Sequence, residues 1–266
     1  MEAGLGLDWQ QDLIGAVVGL LLATITAPVG VSGAVFLLPV QLTVLHVPNP
    51  QLTPTNLIYN VVSGPGALFR FARQRQFDWA LIRQLTVGSL PGVVIGAVLR
   101  VYVADDPVVF RLVAAAVLLP TGLIILRRRA PGASRGRTLR PRVVTGLAFV
   151  VGVAGGMYGI GGGSILGPIL AGSGMALAVV APAALASTFV TSVAGVVAFS
   201  VLAVNAPGAV SPDWSLGFAC GLGGLVGGYT GARLQPHLPE RRLRDLLGVL
   251  AVGLAVAYIV EAALSL

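Results

Sequence analysis

The residues able to do chemistry in this sequence are uncharged, and they come in two matching sets. Gly30-Val-Ser32-Gly33 leads to Pro39, and Gly159-Ile-Gly161-Gly162-Gly163-Ser164 leads to Pro168, with the same interval from the first glycine to the proline. Downstream, Asn56 and Asn60 align with Ser187 and Thr191. Both glycine stretches sit between long apolar runs, where an unpaired backbone N–H or C=O is costly and irregular backbone survives only inside protein or beside a watery cavity. A helix that starts at such a break offers free N–H groups and a partial positive end, which suits an anion. Glycine lets an oxyanion approach those groups without a Cβ in the way. Asn56/Asn60 and Ser187/Thr191 are each four residues apart and share a helix face, so their amides and hydroxyls can complete an anion's hydrogen bonds without a full charge. Two blander roles compete: close helix packing through small residues, preferred for glycines such as Gly221 to Gly231, and hydroxyls bonding back to their own helix.

Other chemistries lack their parts. All seventeen basic residues are Arg; without Lys there is no phosphate-binding loop of the nucleotide-hydrolase type. His46 and His237 stand beside prolines with no second ligand at metal spacing. Cys220 is the one cysteine, so no internal disulfide forms and no resolving thiol exists. Glu261 lies near the end of the last apolar run and is read as reaching the interface. No nucleophile, base or metal set is in place, so no enzyme, cofactor or metal is expected.

Composition decides the class. Of 266 residues 56% are hydrophobic and 10% charged, and the mean hydropathy is +0.90, whereas soluble domains are about a quarter charged. The chain reads as an all-α polytopic membrane protein. Its net charge of +7 comes from arginines in short loops, which the positive-inside bias explains better than nucleic acid. The partners expected are the bilayer and a small anionic substrate; nothing sets an oligomeric state. The N-terminus carries Glu2, Asp8 and Asp12 with no preceding Arg, so no cleaved signal is expected.

Residues 13–69 and 143–212 carry no charged side chain, room for three crossings each at about 20 residues per crossing. The expected segments are Leu13–Ala27, Gly33–Val47, Pro54–Phe71, Gln84–Val103 and Val108–Leu126. After a basic, flexible linker at 127–142 come Val143–Gly155, Gly162–Val180, Ala183–Val204, Trp214–Leu234 and Leu246–Leu264. Gly92-Val-Val-Ile-Gly-Ala-Val-Leu99 matches Gly227-Gly-Tyr-Thr-Gly-Ala-Arg-Leu234, which makes 1–126 and 143–266 an internal duplication. Placing the arginines near 70–83, 127–142 and 233–244 on the cytoplasmic side puts both termini outside and starts the halves from opposite sides. Two inverted-topology repeats of five helical segments follow, each beginning with a broken helix or re-entrant pair, a pattern that points to a transporter site near the midplane.

The Gly159–Pro168 motif, its copy at Gly30–Pro39 and the later Gly-x-x-x-Gly-Ala segments resemble the sulfite exporter TauE/SafE family of membrane permeases. The first copy departs from the motif, with Ser32 and Ala34 where the second has Gly161 and Gly163. The resemblance implies transport of sulfite, sulfoacetate or other sulfonates across the cytoplasmic (inner) membrane by a secondary transporter or facilitator. Export is the expected direction, because a cell negative inside drives anions out without a coupling ion and no midplane carboxylate offers coupling. The alternatives are a structural or accessory membrane subunit and, lower, a membrane-embedded enzyme.

Overall fold

A computed structural model describes residues 9–45, 47–102, 107–127, 139–205 and 211–264, and these are helical without strands. The first half holds α1 (Trp9–Thr26, extended by a 3-10 turn, Ala27–Val29), α2 (Ala34–Thr43), α3 (Asn49–Arg73), α4 (Trp79–Tyr102) and α5 (Pro107–Arg127). The second holds α6 (Pro141–Tyr158), α7 (Leu166–Gly172), α8 (Leu177–Asn205), α9 (Trp214–Leu234) and α10 (Glu240–Leu264). Residues 128–138 of the expected linker, Glu2, Asp8, His46 and residues 103–106 and 206–210 lie outside the described residues.

Among the described residues, five segments are long and apolar enough to cross a membrane: Trp9–Val29, Trp79–Tyr102, Pro141–Tyr158, Leu177–Val204 and Glu240–Leu264. Their outward faces show apolar side chains such as Val17, Leu21, Val94, Val197, Val201 and Val256, as a lipid-facing surface requires. Exposed Trp9, Trp79 and Trp214 stand at the first residue of α1, α4 and α9, where amphipathic rings anchor helix ends at the interface.

The two short helices are the exception. At 1.5 Å per residue, α2 and α7 are about 15 and 10 Å long, well under a hydrocarbon thickness of about 30 Å. Gly162–Val180 is therefore not one span. Gly174, at φ 106, closes the turn after α7, and α8 starts at Leu177 with Pro182 inside it. The expected boundary near Pro182 was misplaced because a left-handed glycine, and not the proline, punctuates the chain. Likewise α3 begins at Asn49, ahead of the expected start at Pro54, and takes Pro54 and Pro65 within its length. The ends of α4 and α10 carry Arg83 and Arg241–Arg244 as helical residues, so the helices outrun their apolar cores.

Packing crosses between the halves. Along α1 and α9 the contacts rise together: the Ser215 hydroxyl donates to Asp12 Oδ2 at 2.5 Å, and Thr24 and Thr230 hydroxyls meet at 3.3 Å. The two helices run parallel. So do α4 and α6, where Gln84 Nε2 donates to the Pro141 carbonyl at 2.7 Å and Gly88, Gly92 and Gly96 face Thr145, Phe149 and Val153 in turn. The central helices α3 and α8 are antiparallel, Gly64 lying against Phe189 and Leu57 against Gly195. Helices α5 and α10 also cross antiparallel, with Gly122 near Ala251 and Gly248 near Leu126. The α1–α9 seam is held at backbone distance, because a Cβ on Gly223 would overlap the Ala16 carbonyl oxygen.

Arg244 pins α7. Buried beside Glu240, its guanidinium donates to the Ala171 carbonyl at 3.0 Å, the Met175 carbonyl at 3.0 Å and Glu240 Oε1 at 2.8 Å. Bonds to a charged donor contribute about 1.5–3 kcal/mol, so Arg244→Ala should lower the melting temperature in detergent by about 5 °C; no change would mean the latch is dispensable. Gly223→Ala should cost roughly 2 kcal/mol or more through overpacking. Gly253→Ala, where a Cβ meets nothing within 4 Å, should be neutral or slightly stabilising, and equal melting of these two variants would refute the packing argument.

Candidate functional site

Both glycine breaks end their preceding helix in the same way. Gly30 (φ 76) and Gly159 (φ 71) are left-handed caps after the α1 turn and after α6, donating to the Ala27 and Gly155 carbonyls. Only glycine holds that conformation at no steric cost. From there the copies diverge. Helix α2 resumes at Ala34, whereas α7 waits until Leu166, because Gly161 is again left-handed at φ 71 where the first half has Ser32. The breaks nonetheless meet: a Cβ on Gly167 would lie 3.0 Å from the Gly30 carbonyl oxygen.

Asn60, buried on α3, ties them together. Its Oδ1 accepts a hydrogen bond from the Ser32 hydroxyl, and its Nδ2 donates to the Gly159 carbonyl at 3.3 Å. One turn earlier Asn56 Nδ2 donates to the Ala34 carbonyl at 2.9 Å, holding α2 against α3. Around the second break, the Gly162 N–H donates to Thr191 Oγ1 at 3.0 Å, and Thr191 bonds back to the Ser187 carbonyl at 2.7 Å. Ser164 donates to the Ile160 carbonyl at 2.7 Å and meets the Thr188 hydroxyl at 3.4 Å. A Cβ at Gly163 would overlap the Ala184 carbonyl oxygen, and one at Gly162 would overlap Ser89. The second break is thus packed closely on α8 and α4.

Space remains at the first break. A cavity of about 30 Å³ lies there, lined by Thr26, Ser32, Gly33, Tyr59, Asn60, Ser63 and Thr188 among others. Among the described residues none of its lining side chains is charged. The Thr26 hydroxyl is buried with no hydrogen-bond partner, as are Asn56 Oδ1 and the Ser187 and Ser192 hydroxyls. No cluster of His, Cys, Asp or Glu able to hold a metal occurs among the described residues.

Of the residues expected from the sequence, Ser32, Gly33 and Asn60 line the cavity; Gly30 and Gly159 cap the helices beside it. Asn56, Gly161, Gly162, Gly163, Ser164, Ser187 and Thr191 lie in the surrounding polar packing. Thr26, Tyr59, Ser63, Ser89, Thr188 and Ser192 were not singled out. Thr188 and Ser192 repeat the four-residue spacing of Ser187 and Thr191 one position on, and Ser63 stands four after Tyr59, so a face-by-face count of hydroxyls would have found them.

No curated protein and no solved structure matches the chain. A family model does, over residues 15–258, which takes in both breaks and all ten helices in whole or part. With uncharged polar groups converging inside an apolar, multi-pass bundle, that match gives the conclusion: the chain belongs to the sulfite exporter TauE/SafE family.

Proposed function

We propose that the protein is a secondary transporter or facilitator that moves a small sulfur-containing oxyanion, sulfite or a sulfonate, out of the cell across the inner membrane. One observation carries the reading: two broken helices from different halves are joined through Asn60 beside a small cavity whose lining mixes hydroxyl, amide and apolar groups and, among the described residues, has no charged side chain. Ser32 and Asn60 line that cavity and can exchange their present hydrogen bonds, to each other and to the Gly159 carbonyl, for bonds to an anion. An anion can bind to such groups without a cation to hold it fast.

The halves 1–126 and 143–266 are inferred to be inverted repeats. Equivalent helices α3 and α8 run antiparallel, as do α5 and α10, and α1 on α9 mirrors α6 on α4. Such a pair of related halves can present one central site to either side in turn. The arginine distribution puts both termini outside. Export follows from energetics: each charge crossing 100 mV gains about 2.3 kcal/mol, roughly a 50-fold concentration ratio. Among the described residues no acidic side chain lines the cavity to couple uptake.

The test is efflux of sulfite from liposomes containing the purified protein. It should exceed that of protein-free liposomes and speed up under a negative-inside potential. Ser32→Ala should slow it by about tenfold, while Gly253→Ala leaves it at the wild-type rate. Sulfite and sulfonate leakage equal to that of empty liposomes would sink the reading.

A further inference from the structure

A groove of about 580 Å³ opens between the first turns of α4 and α6 and shares no lining residue with the central cavity. Arg83, Gln84 and Val87 line it from α4, and Pro141, Arg142 and Thr145 from α6. Its base is closed and satisfied. The Pro141 carbonyl accepts from Gln84 Nε2 at 2.7 Å and from Thr145 Oγ1 at 3.1 Å. The two guanidiniums are not satisfied. Arg83 and Arg142 are exposed, and neither makes a hydrogen bond or ion pair with another described residue. Asp78, the acid next to α4 in sequence, is taken up in capping that helix, accepting from the Leu81 N–H at 3.0 Å. No side chain caps α6, and because α4 and α6 run parallel, the positive ends of both helix dipoles face this end of the bundle.

Past the arginines the surface turns apolar. On α4, Val87, Leu90 and Val94 follow Arg83 at helical spacing, and all three are exposed. On α6, Arg142, Gly146 and Val150 share a face; a Cβ on Gly146 meets nothing within 4 Å, and Val150 is 64% exposed. Exposed Trp79 at the head of α4 marks the level of the interface. The groove has the volume of roughly twenty water molecules, more than one free oxyanion fills, and a free anion has no use for the apolar strip. A phospholipid has both parts. On the inferred orientation this end meets the cytoplasmic leaflet, whose anionic lipids attract basic groups. We propose that the groove binds an anionic phospholipid, its phosphate held between Arg83 and Arg142 and an acyl chain following Val87 and Val150 into the bilayer. The lipid ties α4 to α6, the two helices that flank the second break through Ser89 and the Gly159 cap. Binding there requires only that the chain spans a membrane and is independent of which anion crosses.

The full chain in a neutral detergent is titrated with phosphatidylglycerol, phosphatidylcholine or inorganic phosphate. Native mass spectrometry counts bound lipid, and melting is followed in parallel. Phosphatidylglycerol should bind at least about tenfold more tightly than phosphatidylcholine and raise the melting temperature, while inorganic phosphate does neither. Combining Arg83→Gln with Arg142→Gln should weaken phosphatidylglycerol at least about tenfold. Combining Arg241→Gln with Arg242→Gln makes the same change of charge at the start of α10 and should leave the Kd at its wild-type value. Without lipid both double variants should melt as wild type, since the four guanidiniums are exposed and unpaired among the described residues. Equal binding of the two lipids overturns the site. So does equal weakening in the two double variants, which would mean diffuse attraction to basic loops, or a melting shift from inorganic phosphate that matches phosphatidylglycerol, which would mean a free-anion site.

Discussion

The hydrogen bonds of Asn60 are the constraint on which the rest depends. Two helices are interrupted inside an apolar layer, and backbone opened there must find partners within the protein. A single carboxamide meets part of that need on both sides at once, accepting from Ser32 and donating to the Gly159 carbonyl. To do so α3 must run through the middle of the bundle. Its contacts with α8 and α9 are set by glycines opposite bulky side chains, Gly64 against Phe189 and Gly221 against Val62. An amide suits the position because it donates and accepts without a charge, and a charge there would need its own partner.

The two breaks are not equal. Gly161 and Gly163 lengthen the second break, but their missing side chains are used for backbone approach to α8: Gly163 at Ala184, Gly161 at Thr188. Ser32 and Ala34 shorten the first break and give it a hydroxyl, and the cavity lies on that side. The richer glycine motif therefore makes a tight seam, and the degenerate copy borders the open space. Thr188 belongs to both, lining the cavity and meeting Ser164. Movement at the seam would reach the cavity through that one residue and through Asn60.

Much of this was legible in the sequence because a membrane leaves few options. Apolar run length and arginine position mark the long helices, and the repeat appears as matched glycine spacing. Helix ends were less legible. Prolines 54 and 182 suggest boundaries in a soluble chain but sit inside α3 and α8 here, each at the sixth residue of its helix. The sites of Ser32 and Asn60 followed from spacing. Thr26 and Tyr59 did not, because a lone threonine before a break and a tyrosine in an apolar face look like packing until the opposite wall is known. Nor can periodicity say which glycines face a ligand and which face a carbonyl; that depends on the partner helix, as Gly33 beneath Tyr59 and Gly163 beneath Ala184 illustrate.

A site built from neutral donors also fits the work of letting go. Conduction or exchange needs binding strong enough to draw the ion out of water and weak enough to release it. An arginine at the cavity would deepen the well for both directions and slow departure, while the membrane potential already supplies a driving force on each charge. The arginines are instead kept at the ends. Arg244 is spent on the carbonyls of Ala171 and Met175, where it fixes α7 and so the seam beside the cavity. Positive charge thus shapes the frame that holds the breaks; in the proposed reading dipoles alone meet the anion, which keeps the well shallow at the point where the ion must both arrive and leave.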